Sequence, residues 1–86
     1  MTLIFAANWK MNGNRQEALD WIEGMVVPQQ ATAILCAPSL VLGSEMVQAA
    51  AASKGIYLGG QDCHAAETGA YTGWQSAEML SDIGAG

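Results

Sequence analysis

Residues 3–10 read LIFAANWK, and this stretch decides the fold. Its first five residues form a continuous apolar run without alternation, which is typical of a strand buried on both faces of a parallel sheet. Shorter apolar runs follow at 33–37 (AILCA) and 56–58 (IYL). The intervals between the runs are long enough for the crossover connections that parallel strands need.

Helical patterns fill the intervals between these runs. Asn14 and Glu17 resemble a capping box, and one apolar helical face follows before Pro28 ends the region. Two more helices are expected, over 39–53 and 77–83. The order predicts an α/β fold, a parallel β-α-β-α-β-α segment with two open sheet edges.

The composition of the chain argues against several classes of partner and site. The chain has 86 residues and a net charge of −5, and its 3 basic side chains are scattered, which argues against nucleic-acid and anionic-membrane partners. It has neither a stretch apolar enough to span a membrane nor the pattern of a signal peptide. Cys36 and Cys63 lack the spacing of a metal site, and we interpret them as reduced thiols of a cytosolic protein rather than as a disulfide.

The polar residues that follow each strand are the candidates for chemistry, because sites of parallel α/β proteins lie at the carboxyl ends of their strands. These residues are Asn8, Lys10, Ser39, Gln61, Asp62 and His64. Lys10 is the most informative, since a lysine directly after a buried strand can bind an anion or stabilise developing negative charge in a cleft. The alternative is a solvated loop lysine.

Four motifs resemble the triosephosphate isomerase family. Residues 5–13 (FAANWKMNG) look like the opening signature of these enzymes, and 60–63 (GQDC) are similar to the end of their third strand. Residues 69–73 (GAYTG) resemble their third loop, and 76–80 (SAEML) resemble the helix after it. The resemblance runs in register along the chain. It implies that residues 1–86 are the N-terminal three β-α units of a (β/α)8 TIM barrel, incomplete in this chain because a full barrel needs about 250 residues.

The resemblance also implies a reaction. Family members interconvert glyceraldehyde 3-phosphate and dihydroxyacetone phosphate, in glycolysis and gluconeogenesis, through an enediolate and without a metal or organic cofactor. By similarity, Lys10 is the catalytic cation that binds the triose phosphate substrate and stabilises the enediolate. Asn8 would hydrogen-bond to the substrate and position Lys10.

A subunit contact of a homo-oligomer is implied as well. Thr72 would reach from the third loop into a partner subunit, and Gln61 would lie near that contact. Met11 and Asn12 would line the pocket that receives the partner's loop. Trp74 belongs to the same contact region.

Two residues after the third loop depart from the family pattern. Trp74 and Gln75 stand where the family usually has an acidic residue and then a β-branched one. A charged contact has thereby become an aromatic one, and a tryptophan there can supply a new apolar contact, because aromatic residues are enriched in interface cores.

Three other residues are interpreted as structural. The family's electrophilic histidine follows strand four and precedes Ser-Glu, whereas two alanines follow His64, so we interpret His64 as a loop residue of the contact region. Glu67 matches no family base. Ser39 is expected to cap a helix rather than to act as a nucleophile, because no histidine or acid is paired with it.

The family's histidine electrophile, glutamate base, closing loop and phosphate-binding loops have no counterpart in these 86 residues. Because loss of a general base alone costs about 10²–10⁴ in rate, we expect no useful isomerase activity from the chain by itself. Two hypotheses follow. In the first, the chain contributes Asn8 and Lys10 to an isomerase whose remainder lies on a separate, complementing barrel fragment or in a longer sequence. In the second, it is a catalytically inactive, self-associating fragment.

Overall fold

The three apolar runs form one parallel sheet. The computed structural model describes residues 3–86, with strands β1 (Leu3–Asn8), β2 (Ala31–Cys36) and β3 (Ile56–Gly59) in the order β1-β2-β3. Phe5 pairs with Ala33, and Ala33 pairs with Ile56. This sheet with its interleaved helices confirms the predicted β-α-β-α-β-α segment and is consistent with part of a TIM barrel.

Four helices connect and follow the strands: α1 (Arg15–Gly24), α2 (Ser39–Leu42), α3 (Glu45–Lys54) and α4 (Ala77–Asp82). The start of α1 is as predicted, since the Asn14 Oδ1 accepts a hydrogen bond from the Glu17 N–H at 2.9 Å. Ser76 caps α4 in the same way through the Met79 N–H at 3.2 Å. Such caps satisfy backbone donors that a helix end leaves free.

The single helix expected over residues 39–53 is wrong, because two helices occupy the region. Gly43 ends α2, and Ser44, with an extended backbone, caps α3 by accepting from the Val47 N–H at 3.4 Å. The side chain of Gln48 donates back to the Leu42 carbonyl at 2.9 Å across the break. Serine competes with helical hydrogen bonding through its own side chain, so it starts a new helix here instead of continuing the old one.

The core lies between one face of the sheet and the helices. Strand residues alternate between faces, and on the helical face β2 and β3 contribute four buried residues: Ala33, Leu35, Ile56 and Leu58. They belong to one apolar cluster with residues of α1, α2 and α3, among them Ile22, Leu42, Val47 and Ala51. The helices therefore cover one side of the sheet.

The prediction that the first strand is buried on both faces is wrong for the described residues. Leu3, Ile4 and Phe5 are 57%, 68% and 52% exposed. Leu3 and Phe5 share a face with the buried Ala33 but belong to the edge strand, where the helices leave them exposed. Ile4 lies on the opposite face of the sheet, which no layer within residues 3–86 covers.

At the edge of the sheet formed by β3, the C-terminal residues of the chain begin a further parallel pairing. Ala85 forms a parallel bridge with Leu58, and the Gly86 N–H donates to the Leu58 carbonyl at 2.9 Å. The Gly60 N–H donates in turn to the Gly86 carbonyl at 3.2 Å. Residues 85 and 86 thus lie beside β3 on the side away from β2.

Two further expectations concern thiols and membranes. Cys36 and Cys63 are free thiols, as expected from their spacing. Within the part of the chain that the structure describes, no helix is long and apolar enough to cross a bilayer.

Candidate functional site

The carboxyl ends of all three strands meet at one side chain, that of Gln61. Its Nε2 donates to the Lys10 carbonyl at 2.9 Å and to the Cys36 carbonyl at 3.2 Å, and it lies 3.4 Å from the Asn8 Oδ1. Asn8 ends β1, Cys36 ends β2, and Gln61 follows β3 closely. The structure therefore brings Asn8, Lys10 and Gln61 together, as parallel strands require of residues that follow them.

The backbone of Lys10 has an unusual conformation. Lys10 has a φ of 58°, and it is the one residue other than glycine with a positive φ among residues 3–86. The Asn8 Oδ1 accepts from the Lys10 N–H at 2.9 Å. A left-handed conformation costs an ordinary residue about 1–2 kcal/mol and is concentrated at functional sites, where surrounding contacts maintain it. Asn8 is thus placed to position Lys10.

Contacts within the chain stabilise the turn after Lys10. The Asn12 Nδ2 donates to the Trp9 carbonyl at 2.9 Å, and the Trp9 ring packs edge-on against Trp21 of α1 with centroids 6.2 Å apart. Gly13 has a φ of 95°, and a Cβ at this position would collide with the Trp9 ring. Tryptophan and glycine together fix the path of the chain that leaves the site.

The predicted subunit-contact residues lie at the surface. Met11 is 94% exposed, and the exposed Asn12 and Thr72 lie in the loops after β1 and β3. Within residues 3–86, Thr72 makes no hydrogen bond to Asn8 or Lys10. Gln61, by contrast, contacts the site of its own chain directly. The roles of these residues in a subunit contact stay predictions.

The loop between β3 and α4 contains an aromatic cluster that sequence reasoning missed. His64 stacks on Tyr71 with ring centroids 3.9 Å apart, and Trp74 packs edge-on against His64 at 5.5 Å. The His64 Nδ1 accepts from the Ala66 N–H at 2.9 Å, and its backbone N–H donates to the Gln75 carbonyl at 2.8 Å. These contacts place His64 within the structure of this loop, as the sequence interpretation has it. Trp74 is still half-exposed.

The expectation that Ser39 caps a helix is wrong. Pro38 occupies the cap position of α2, and the Ser39 hydroxyl donates instead to the Gln75 Oε1 at 2.8 Å. The Gln75 Nε2 also donates to the Gly73 carbonyl at 3.1 Å. Gln75, one of the two departures from the family pattern, thereby joins the loop after β3 to the start of α2.

Metal binding finds no support among the described residues 3–86, where no three His, Cys, Asp or Glu side chains group closely enough to hold an ion. That the complete site uses no metal or organic cofactor stays a prediction. The side chains of the Asn8, Lys10 and Gln61 cluster offer an ammonium and two amides, while the neighbouring Asp62 carboxylate accepts from the Cys63 N–H at 2.8 Å.

The chain folds as a parallel β-α-β-α-β-α segment, and its polar cluster lies at the carboxyl ends of the strands. This arrangement is typical of α/β proteins whose functional sites lie at that edge of the sheet. The sequence model of the family described as "Triosephosphate isomerase" matches residues 3–86, and the chain belongs to this family.

Individual relatives agree with the family match. The chain is 42% identical over 84 residues to a triosephosphate isomerase of Xanthobacter flavus, a match that covers 95% of this chain and 33% of that protein. It is 45% identical over 85 residues to one of Ruegeria pomeroyi (95% and 33%) and 43% identical over 84 residues to one of Alkaliphilus oremlandii (94% and 33%). The chain spans about a third of the length of these curated relatives.

Proposed function

We propose that this chain supplies the asparagine and lysine corner of a triosephosphate isomerase active site, which interconverts glyceraldehyde 3-phosphate and dihydroxyacetone phosphate. The observation that carries the proposal is the left-handed Lys10 directly after β1, with its N–H bonded to Asn8 and its carbonyl bonded to Gln61. Family membership supports the assignment of Lys10 as the counterpart of the catalytic cation that the sequence resemblance implies.

The chemistry assigned to the corner is electrostatic. Isomerisation moves a proton between adjacent carbons, and negative charge develops on the substrate oxygens as the enediolate forms. A fixed ammonium near these oxygens stabilises the transition state more than the ground state, which is the condition for catalysis. The Asn8 amide would orient both Lys10 and the substrate. The base and the electrophile would come from residues outside this chain.

The rest of the proposal concerns assembly. Residues 1–86 would form the first three β-α units of a barrel domain, and the pairing of Ala85 with Leu58 is where a fourth strand would add. Met11, Asn12, Gln61, Thr72 and Trp74 would form the contact with a second subunit in a homo-oligomer. We expect the assembled enzyme to act in the cytosol, with neither nucleic acid nor membrane as a partner.

Complementation tests the proposal. The 86-residue chain is mixed with a fragment that contains the remaining two thirds of the Ruegeria pomeroyi triosephosphate isomerase, and turnover of glyceraldehyde 3-phosphate is measured. Lys10→Ala should lower turnover about 10²–10³-fold, the usual cost of removing one electrostatic donor. Arg15→Gln is the matched control, because it removes an exposed cation from the nearby start of α1. Equal losses in both variants, or turnover unaffected by Lys10→Ala, would refute the proposal.

A second candidate function is self-association without catalysis. Ile4 and Tyr57 occupy the face of the sheet opposite the helices and are 68% and 65% exposed. Apolar surface of this kind favours association with another copy or with a complementing fragment. A stable homo-oligomer that fails to bind the complementing fragment would favour this candidate over the first.

A further inference from the structure

We propose that Gln61 is a positioning residue that maintains the left-handed conformation of Lys10. The inference deepens the proposed function and rests on it for its catalytic meaning. It differs from the subunit-contact role expected for Gln61, because it assigns the side chain to the active-site corner of its own chain.

The peptide groups on both sides of the Lys10 Cα are held by side chains. Asn8 accepts from the Lys10 N–H at 2.9 Å, and Gln61 donates to the Lys10 carbonyl at 2.9 Å. Gln61 also lies 3.4 Å from the Asn8 Oδ1 and so connects the two restraints. Together these contacts constrain both backbone angles of Lys10, the φ through its N–H and the ψ through its carbonyl.

The free energies of these hydrogen bonds are comparable to the cost of the left-handed backbone at Lys10. A left-handed lysine costs about 1–2 kcal/mol, and a neutral hydrogen bond contributes about 0.5–1.5 kcal/mol. Two or three bonds are therefore enough to offset the backbone cost, whereas one bond is marginal. Because Gln61 is exposed, water competes for these bonds. Its removal should consequently change the local conformation of Lys10 more than the overall stability.

The chemistry of the three neighbours requires a donor at position 61. The Lys10 carbonyl, the Cys36 carbonyl and the Asn8 Oδ1 are all acceptors. A glutamine amide offers two N–H groups. An ionised glutamate has a side chain of the same length and shape, but both of its oxygens are acceptors. Gln61→Glu should therefore repel the groups that Gln61 binds, and Gln61→Met should leave them without a partner.

Nuclear magnetic resonance of the isotope-labelled 86-residue chain tests the inference without reference to activity. A positive φ brings the amide proton of a residue close to its own Hα, which gives a strong intraresidue cross-relaxation peak. We expect a strong peak for Lys10 in the parent chain and a weak one in both Gln61→Glu and Gln61→Met. Gln48→Met is the matched control, because it removes a glutamine bond to a backbone carbonyl at the α2–α3 break. It should leave the Lys10 peak strong.

Turnover in the complementation assay provides the second readout. Displacement of a catalytic group by about 1 Å can cost 10²-fold, so both Gln61 variants should lose about 10–100-fold in kcat while Gln48→Met retains its kcat. A Lys10 peak that stays strong in both Gln61 variants would overturn the inference, whatever the turnover. A parent assembly that does not turn over would instead contradict the proposed function and leave the conformational result standing.

Discussion

At the scale of single residues, Lys10 has the clearest conflict between local preference and structure. Its φ of 58° is one that glycine adopts freely and that residues with a Cβ avoid. The surrounding bonds from Asn8 and Gln61 compensate for this cost. Because the conflict lies at the lysine that we propose as the catalytic cation, it has the character of a functional constraint.

This conflict makes a prediction about stability. Lys10→Gly should be more stable than Lys10→Ala by about 1 kcal/mol, because only the alanine has a Cβ in the left-handed region. Urea unfolding of the two variants measures the difference. An order in which the alanine variant is equally stable or more stable would contradict a left-handed position 10.

The sequence predicts that the candidate residues share one sheet edge, but it does not predict their geometry. Asn8, Lys10 and Gln61 could be assigned to that edge because each lies at the end of a strand or just after it. The bonds of Gln61 to Lys10 and Asn8 join residues 51 and 53 positions apart, and no local pattern specifies them. The positive φ of Lys10 could not be predicted from the sequence either, since lysine has no preference for that region.

At the scale of elements, α1 and α3 are joined at their C-terminal ends by one side chain. The Lys54 ammonium, in the last turn of α3, donates to the Glu23 carbonyl at 3.0 Å and to the Met25 carbonyl at 3.2 Å. The carbonyls at the end of α1 are groups that the helix cannot satisfy internally, and a cation suits the negative end of its dipole.

Lys54→Met should therefore lower the free energy of unfolding by about 1 kcal/mol, since it keeps the aliphatic stem and removes the donors. Lys54→Arg, which keeps a cation with several donors, should lose less than half of that amount. Thermal or urea unfolding of the two variants provides the measurement. Equal losses in both would show that the exact fit of the lysine matters rather than its charge and donors.

Element order was predictable and element boundaries were less so. The alternation of apolar runs and capped helical patterns predicted the strands, the Asn14 cap and the parallel topology. The division between α2 and α3 was missed because helix-compatible apolar residues continue past Gly43 and Ser44. One serine side chain decides that boundary by capping α3, and a pattern spanning several residues does not resolve such an effect.

At the scale of the whole molecule, the sheet has helices on one face and exposed apolar residues on the other. The continuous apolar run of β1 predicted burial that the described residues do not provide. An apolar run indicates that a strand is buried, but it does not indicate which residues or which chain bury it. Ile4 and Tyr57 therefore lie on an apolar face that no layer within residues 3–86 covers.

The uncovered face predicts how the isolated chain behaves. We expect it to self-associate, and Ile4→Lys should weaken that association at least about 10-fold, because a charge in an apolar contact must lose its hydration. Met46→Lys is the control, since it changes an exposed apolar residue on the outer side of α3. Sedimentation velocity over a range of concentrations distinguishes the variants. A parent chain that stays monomeric throughout would contradict this expectation.

The most direct test of the central claim is the isomerase activity of the purified 86-residue chain alone, with Lys10→Ala assayed beside it to exclude a contaminating enzyme. We propose that the chain supplies the lysine and asparagine corner but neither the base nor the electrophile, so we expect no turnover of glyceraldehyde 3-phosphate in either sample. Turnover in the parent chain that disappears in Lys10→Ala would refute this proposal, because it would mean that these 86 residues already contain a complete active site.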